Sequence, residues 1–343
     1  MRDVALSADV SEVTASRALR NPDLVSQRLR ERVVAAAREL GYVPNQLASA
    51  LASSRTSRVA VIVPSLTNGV FDDYLRAAYD VFTPAGVQVV VLNSNYVPGF
   101  EEKAIETALG QFPEAIILAG VDQTPRARRL LTQAGIPVVQ TMELADKPID
   151  INIGLSHFEA GRAAARFLFE LGHRHVAHIA SPLDSRARDR VRGYLDAVRE
   201  FGADPIVASD DKPSNVAVGV NLFSEILRIA PEITAVFCGN DNLALGAIFE
   251  CQRRGIRVPH DMSIVGFNDL EFARSAFPSV TTIATPRYEM ARRAAEIILE
   301  ITRGSGKRPR RRRFDLGFQV IERESTRRIT HSSQSAANLA PSN

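Results

Sequence analysis

Short apolar runs alternate with helical stretches from residue 59 onward, and this alternation constrains the fold more than any other feature. The runs have strand length and lie at residues 59–63, 87–92, 115–118, 137–139, 175–179, 235–238, 263–265 and 314–320. Strand, helix and strand in repeated order predict an α/β body of parallel sheets flanked by helices. The number of strand–helix units is large enough to form two lobes, and we expect the division between the lobes near residues 150–155. Ligands of such folds bind beyond the carboxyl ends of the strands, here in the cleft between the lobes.

Three short helical patterns precede this body. The first covers residues 2–8, the second follows Ser11 as its N-cap, and the third lies between Ser26 and Gly41. Asp9 separates the first two patterns, and Asp adopts the left-handed conformation of a tight turn more readily than most residues. Two helices joined by so tight a turn predict an all-α head with a helix-turn-helix motif.

The net positive charge of the chain lies entirely in the head. Residues 1–58 carry nine arginines and six acidic residues, whereas residues 59–343 carry 33 basic and 33 acidic residues. A small basic head on a neutral body is the charge distribution expected of a protein that binds a polyanion. Every positive charge of the head is an arginine, whose planar guanidinium suits bidentate contact with phosphate or guanine.

A short segment joins the head to the body. Asn45 is a good N-cap for a helical pattern over residues 46–52, which is too short to be stable alone, and a polar linker follows it. The predicted organisation is a head at residues 1–44, a short helix and linker at 45–58, a two-lobed body at 59–330 and a disordered tail at 331–343.

Several classes of protein are excluded by the sequence. No run approaches the roughly 18 apolar residues of a membrane span, and the N-terminus has no apolar secretory segment, so we expect a cytoplasmic protein without a membrane partner. The two cysteines, Cys238 and Cys251, belong to no cluster typical of a metal site. A nucleophile elbow and a phosphate loop are also absent, so we expect neither an enzyme nor a cofactor.

An ordered series of motifs runs through almost the whole chain. In the head it comprises Asp3-Val4-Ala5, Val10-Ser11, Thr14-Ala15-Ser16-Arg17, Val25-Ser26, Arg30-Glu31-Arg32-Val33 and Glu39-Leu40-Gly41-Tyr42-Val43-Pro44-Asn45. In the body it comprises Leu171-Gly172-His173-Arg174-His175, Arg190, Gly193-Tyr194, Asn240-Asp241, Ala244-Leu245-Gly246, Val265-Gly266-Phe267-Asn268-Asp269 and Thr281-Thr282-Ile283. The chain thereby resembles the lac-repressor (LacI/GalR) family of transcriptional regulators, whose two-lobed bodies are similar to periplasmic binding proteins.

Further motifs in the body are most similar to those of the gluconate-utilisation repressors of that family. They are Pro64-Ser65-Leu66-Thr67-Asn68, Val70-Phe71, Ala119-Gly120-Val121-Asp122, Gly135-Ile136-Pro137-Val138-Val139 and Gly154-Leu155-Ser156-His157. The resemblance implies a repressor of carbohydrate or sugar-acid catabolism genes, released from its operator by gluconate or a ketogluconate. A purine-like corepressor and a neutral-sugar ligand remain as alternatives.

The second helix of the head is the expected reading helix in the major groove. Glu12 can accept from cytosine, Val13 can contact a thymine methyl group, and Arg17 can bind guanine. Nearby side chains are the expected phosphate contacts: Ser11, Thr14, Ser16 and Arg20. The structural alternatives make Ser11 only a helix cap and Val13 only a core residue.

The resemblance makes residues 45–52 a hinge helix that folds when two copies lie side by side in a kinked minor groove. Asn45, Ala48 and Leu51 are then DNA contacts, with Leu51 inserted as a wedge between central base pairs. The alternative is that Leu51 packs on the body. The expected DNA partner is a palindromic operator bound by a homodimer, because one head reads one half-site.

The effector residues come from both lobes. Arg190, Asn240 and Asn268 match polar ligand contacts of the family in the distal lobe, and Arg190 offers bidentate binding to a carboxylate. The proximal lobe contributes candidates from its first strand–helix loop and from a later strand: Ser65, Asn68, Phe71 and Glu143. A core position for Phe71 and a surface position for Glu143 are the alternatives, and Glu143 argues against an acidic ligand.

Two other functions fit the sequence less well. A periplasmic sugar-binding protein shares the two-lobed body, but it needs an export signal and lacks a segment like the first 52 residues. An enzyme needs a reactive constellation, and the histidines of this chain are scattered.

Overall fold

The computed structural model describes residues 1–20, 24–43 and 56–329, with the side chain of Arg20 left out. The chain divides into two compact units, the first formed by residues 1–58 with 112–114 and the second by the remainder. The predicted short helix and the tail at residues 331–343 lie outside the described residues.

The head consists of helices α1 (Arg2–Ser7), α2 (Glu12–Arg20) and α3 (Gln27–Glu39). Asp9 has φ 45°, the left-handed conformation expected for the turn between α1 and α2. Ser11 Oγ accepts from the backbone N–H of Thr14 at 3.2 Å and so caps α2. The three helices enclose a small core of Val4, Ala5, Ala8, Ala15, Ala18, Val33, Ala36 and Ala37.

The body continues the chain with twelve strands and nine α-helices among the described residues. The strands are β1 (Arg58–Val63), β2 (Gln88–Asn93), β3 (Ala115–Leu118), β4 (Val138–Glu143), β5 (Ile151–Leu155), β6 (Val176–Ala180), β7 (Ile206–Ser209), β8 (Ala235–Cys238), β9 (Ser263–Asn268), β10 (Thr281–Ala284), β11 (Arg313–Asp315) and β12 (Gln319–Ile321). The helices are α4 (Asp72–Phe82), α5 (Pro98–Gly110), α6 (Pro125–Gln133), α7 (His157–Glu170), α8 (Ser185–Glu200), α9 (Val216–Ile229), α10 (Asp241–Arg254), α11 (Glu271–Ser275) and α12 (Arg287–Arg303).

The strands form two six-stranded sheets, one in each lobe. The proximal sheet has the order β11-β5-β4-β3-β1-β2 and the distal sheet the order β12-β10-β9-β8-β6-β7. Parallel pairing joins the central strands, for example Val59 opposite Ala115 and Val176 opposite Ala235, whereas β12 runs antiparallel to β10. Strands β3 and β8 are buried along their whole length, as expected of parallel strands covered on both faces. The predicted α/β two-lobed class is confirmed.

The chain passes between the lobes three times, at Ser156, at residues 285–286 and at residues 316–318. The last passage corrects the prediction of a single strand over residues 314–320. Gly317 has φ 66° there, which breaks the run into β11 and β12 in different sheets. The first passage, at Ser156, directly follows the predicted division near residues 150–155, and β5 belongs to the proximal sheet.

Candidate functional site

Polar side chains converge on the cleft between the lobes, beyond the carboxyl ends of the parallel strands. They surround a narrow space of about 60 Å³, which we name the arginine chamber. Its lining combines side chains of both lobes and includes Asn68, Phe71, His157, Arg190, Asn240 and Asn268. The position agrees with the general rule for ligands of parallel α/β sheets.

A second space of about 320 Å³ adjoins the first, and we name it the acidic chamber. Its own charged lining residues are Glu101, Asp122, Glu143 and Arg188. The two chambers share four lining residues, Tyr96, Leu183, Asp184 and Arg186. These four therefore mark the boundary between the chambers.

Arg190 is the only cation that lines the arginine chamber without also lining the acidic chamber, counted over the described residues. Its guanidinium lies over the Phe267 ring, 4.6 Å from the centroid, and Nη1 donates to Nδ1 of His157 at 2.9 Å. Since arginine cannot accept, His157 carries its proton on Nε2, which donates to the Met142 carbonyl at 3.2 Å. Burial, with the Arg190 charge adding to it, lowers the pKa of His157 well below its ordinary value, so the ring is neutral.

Arg190 is incompletely paired. Its buried Nε has no hydrogen-bond partner among the described residues, and the same holds for Oγ of Ser181 in the same chamber. Burial lowers the pKa of Arg190 to about 10, although the charge of Asp184 acts in the opposite direction. A buried cation with an open donor is costly unless a ligand completes its hydrogen bonds.

Arg186, one helical turn before Arg190, is compensated. Its Nε donates to Asp184 at 3.0 Å, and its Nη2 forms a second, shorter contact with the same carboxylate. Asp184 is itself the N-cap of α8 and accepts from the backbone N–H of Ala187 at 2.9 Å. Burial raises the pKa of Asp184, but the charges of Arg186 and Arg190 and these hydrogen bonds outweigh it and hold the value at about 2.

The start of α8 also binds two carboxylates of the proximal lobe. Ser185 Oγ donates to Glu143 at 2.6 Å, and its backbone N–H donates to Asp122 at 2.7 Å. Arg188 donates to Asp122 at 3.2 Å. Burial raises the pKa of Glu143 to about 7, although Arg186 and the Ser185 hydrogen bond lower it. These contacts join the lobes across the cleft.

The remaining sequence-predicted effector residues have different surroundings. Asn68 donates from Nδ2 to Tyr96 Oη at 3.2 Å, and Asn240 caps α10 while it donates to Ser214 at 2.6 Å. Phe71 is almost fully buried and also lines the arginine chamber, so its core and ligand positions coincide. Ser65 closes its own loop by accepting from the backbone N–H groups of Thr67 and Asn68. Asn268 lines the chamber with φ 110°.

In the head, α2 presents the predicted DNA contacts away from its core. Ala15 and Ala18 face the core, whereas Val13 is 60% exposed, which is incompatible with a core position. Glu12 and Arg17 are exposed, and Thr14 and Ser16 are half-buried on the same helix. Asn45, Ala48, Leu51 and the side chain of Arg20 lie outside the described part of the chain.

Comparisons with known proteins place both units. Residues 1–45 match the profile of bacterial regulatory proteins of the lacI family, and residues 165–326 match that of periplasmic binding protein-like domains. The HTH-type transcriptional regulator GntR of Pseudomonas aeruginosa is 41% identical over 329 residues, which cover 95% of each chain. The chain belongs to the LacI family.

Solved LacI-family structures agree with this assignment. A transcriptional regulator of the family from Silicibacter pomeroyi matches with a TM-score of 0.89 at 35% identity, covering 95% of this chain and 99% of the other. The lac repressor dimer bound to operator and the anti-inducer ONPF matches with a TM-score of 0.79 at 26% identity, covering 95% and 98%. This LacI-family chain is a DNA-binding transcriptional regulator, and no described helix is long and apolar enough to span a membrane.

Sequence reasoning missed four residues of this LacI-family cleft: Tyr96, His157, Asp184 and Arg186. A signal was present for two of them, because Asp184 is a good N-cap shortly after the strand pattern at residues 175–179 and Arg186 follows within the first turn. Tyr96 gave no such signal, since it lies in a loop with positive φ that no periodicity marks. Asp241, by contrast, is a buried structural residue that accepts from Leu270 and Thr282, each at 2.7 Å.

Proposed function

We propose that this LacI-family regulator binds a palindromic operator as a homodimer and is released by a six-carbon sugar acid, such as gluconate or a ketogluconate, bound in the cleft. Its place of action is the cytoplasm. The proposed organisation is an operator-reading head at residues 1–44, a hinge at 45–58 and an effector-binding, dimerising body at 59–330. The observation that carries the acidic effector is the buried, incompletely paired guanidinium of Arg190.

The charge balance around Arg190 favours a carboxylate. Its hydrogen-bond partner His157 is neutral, its stacking partner Phe267 is apolar, and Asp184 is engaged by Arg186. A ligand carboxylate at this point supplies the missing acceptor and the missing negative charge, and charge-assisted hydrogen bonds of this kind are the strong ones. A neutral sugar supplies only the acceptor.

The exposed side of α2 supports the operator contact. We assign base contacts to Glu12, Val13 and Arg17, and phosphate contacts to Ser11, Thr14, Ser16 and Arg20. Asn45, Ala48 and Leu51 are proposed hinge contacts on the resemblance alone, because they lie outside the described residues.

The test is an operator-release titration with the full chain. An operator is selected from random duplexes, labelled and bound, and fluorescence anisotropy is followed while gluconate, 2-ketogluconate, glucose or hypoxanthine is added. We expect release by one of the acids and no effect of glucose or hypoxanthine at the same concentration. Release by glucose alone, or tighter binding with hypoxanthine, would replace the sugar acid by one of the two alternative ligands.

A further inference from the structure

We propose that the effector spans both chambers, with its carboxylate in the arginine chamber and its hydroxyl-bearing tail in the acidic chamber. The acidic chamber then selects against acids that carry a second negative group at the far end. This inference rests on the proposed function, because it takes the sugar acid as the occupant of the cleft. It adds an orientation and a rule of specificity.

The sizes of the chambers require a ligand that extends beyond the first. The arginine chamber, at about 60 Å³, is less than half the size of a cavity of about 150 Å³ that holds benzene. A six-carbon sugar acid is larger than benzene, so only the carboxylate and the nearest carbons fit there. The acidic chamber, at about 320 Å³, adjoins it and accommodates the remainder.

The charges of the chambers have opposite sign. Beyond the shared Asp184–Arg186 ion pair, the arginine chamber contains the cation Arg190. The acidic chamber contains three carboxylates, and its own arginine, Arg188, pairs with Asp122. Glu101 and Glu143 therefore have no cation of their own in this chamber within the described residues. A ligand with a carboxylate at one end and uncharged hydroxyl groups at the other matches these charges. A ligand with an acidic group at both ends opposes them.

The carboxylates of the acidic chamber have acceptor capacity left. Glu101 Oε1 accepts from Gln123 at 3.1 Å, and Glu143 accepts from Val121 and Ser185. A carboxylate offers about four lone-pair sites, so each retains sites for a ligand hydroxyl group. An ionised carboxylate only accepts, so it is a partner for a hydroxyl group and not for a second carboxylate. Burial raises the pKa of Glu143 to about 7 and also raises the pKa of Glu101, so these two residues exclude a second carboxylate only in their ionised form.

The residues shared by the two chambers contact the middle of the proposed ligand, where its carboxylate end meets its hydroxyl-bearing tail. Arg186 is held by Asp184 and is 8% exposed as a side chain, so it is a stationary donor between the chambers. Tyr96 Oη accepts from Asn68, which leaves its own O–H free to donate. Both donors are placed to contact the middle of the proposed ligand. Arg190 contacts its carboxylate end, and the carboxylates of the acidic chamber contact its hydroxyl-bearing tail.

Isothermal titration of the full chain tests the inference with gluconate, glucarate, which has a carboxylate at both ends, and 6-phosphogluconate. We expect gluconate to bind more than about tenfold more tightly than either dianionic or trianionic acid, because like-charge contacts are strongly unfavourable. Glu101→Gln removes one of the repelling charges and should narrow the gluconate-to-glucarate ratio several-fold. Glu106→Gln, on the exposed side of the same helix, should leave that ratio unchanged.

The outcomes separate the two proposals. If none of the three acids binds and 2-ketogluconate does not release the operator, the proposed function fails and this inference fails with it. If gluconate and glucarate bind the wild-type chain equally well, the acid effector stands and the two-chamber orientation is wrong. Equal loss of both acids in Glu101→Gln would give Glu101 a structural role only, and the orientation would again be overturned.

Discussion

Arg186 and Arg190 lie one turn apart on the same helix, yet their charges are compensated to different extents. Arg186 is neutralised by the N-cap of that helix, whereas Arg190 contacts a neutral imidazole and an aromatic ring. The family resemblance predicted Arg190 as a ligand contact but gave nothing for Arg186. The difference between them arises from the folded surroundings, because Asp184 reaches Arg186 only when it caps α8.

Arg190→Ala should abolish binding of the acidic effector while operator affinity is retained. The variant removes the guanidinium that supplies the charge-assisted hydrogen bonds, and the expected loss of affinity for gluconate exceeds about tenfold. Arg192→Ala is the matched control, since Arg192 is 69% exposed on the same helix and pairs with Asp189. Titration calorimetry and operator anisotropy measure the two affinities. Unchanged gluconate binding in Arg190→Ala would contradict the site.

Arg17→Ala should weaken the specific operator complex by about 1–3 kcal/mol and relax preference at one base pair. The physical reason is the loss of a bidentate contact with guanine. Arg38→Ala, at the exposed end of α3, is the control and should lower affinity much less. Anisotropy is measured on the selected operator and on its single-base variants. Equal losses on specific and random DNA would assign Arg17 to the phosphate backbone instead.

Glu143→Gln should change how stability depends on pH. The folded-state pKa of Glu143 is about 7 and its ordinary value is 4.5, so the folded chain holds this proton more tightly than the unfolded chain. The stabilisation by the proton is present at low pH and is lost as pH rises from about 4.5 through 7.

Relative to Glu143→Gln, the wild-type chain should therefore lose about 2–3 kcal/mol in free energy of unfolding between pH 4.5 and pH 8. Urea unfolding at several pH values measures the difference between the two proteins, which cancels the contributions of other titrating groups. Glu232→Gln, at an exposed position, serves as the control for the substitution itself. A flat difference for Glu143→Gln would mean that this carboxyl titrates normally.

At the scale of elements, the distal lobe depends on helices that approach each other through glycine. A Cβ added to Gly193 of α8 would lie 2.1 Å from the Phe158 carbonyl oxygen of α7, and one added to Gly161 would lie 2.5 Å from the Arg190 carbonyl oxygen. Both obstacles are backbone atoms, which cannot rotate away. The packing of these helices therefore fixes the position from which Arg190 enters the cleft.

Gly193→Ala should destabilise the body by about 1–3 kcal/mol and weaken effector binding, because the two helices must separate. Gly99→Ala is the control: a Cβ there meets nothing within 4 Å, so the substitution should be neutral or stabilising. Thermal unfolding and gluconate titration give the two quantities. A Gly193→Ala protein that matched the wild type in both would show that the helices can move apart without cost.

The sequence predicted strands with continuous apolar runs better than strands that are partly exposed or contain polar residues. Strands with continuous apolar runs, such as β3 and β8, were predicted because burial on both faces leaves an unmistakable pattern. Strands β7 and β10 were missed, since the first is partly exposed and the second contains two threonines. Arg190, Asn240 and Asn268 of the candidate site followed from the resemblance, whereas the boundary between the chambers depends on loops that meet only in the folded body.

At the scale of the whole molecule, effector and operator should be coupled reciprocally. If gluconate lowers the affinity for the operator by a given factor, the operator must lower the affinity for gluconate by the same factor. This factor is typically about 5 to 150. Calorimetry with and without saturating operator measures one side, and anisotropy with and without gluconate measures the other. If the two measured factors differ, the operator complex was not at equilibrium. If gluconate and operator do not change each other's affinity at all, allosteric control by this ligand is excluded.

The three passages between the lobes also order events during synthesis. Residues 157–284, which build most of the distal lobe, are inserted between β5 and α12 of the proximal lobe. Strands β1 to β5 of the proximal sheet are synthesised first. The proximal lobe can be completed only when α12 and β11 have also left the ribosome, which is when nearly the whole chain has emerged. Contacts between segments so far apart in sequence form slowly and leave apolar surface exposed in the meantime. A stalled or truncated chain that ends before residue 287 would thus present a distal sheet that lacks only β12 beside an unfinished proximal lobe, in which β5 is an open sheet edge.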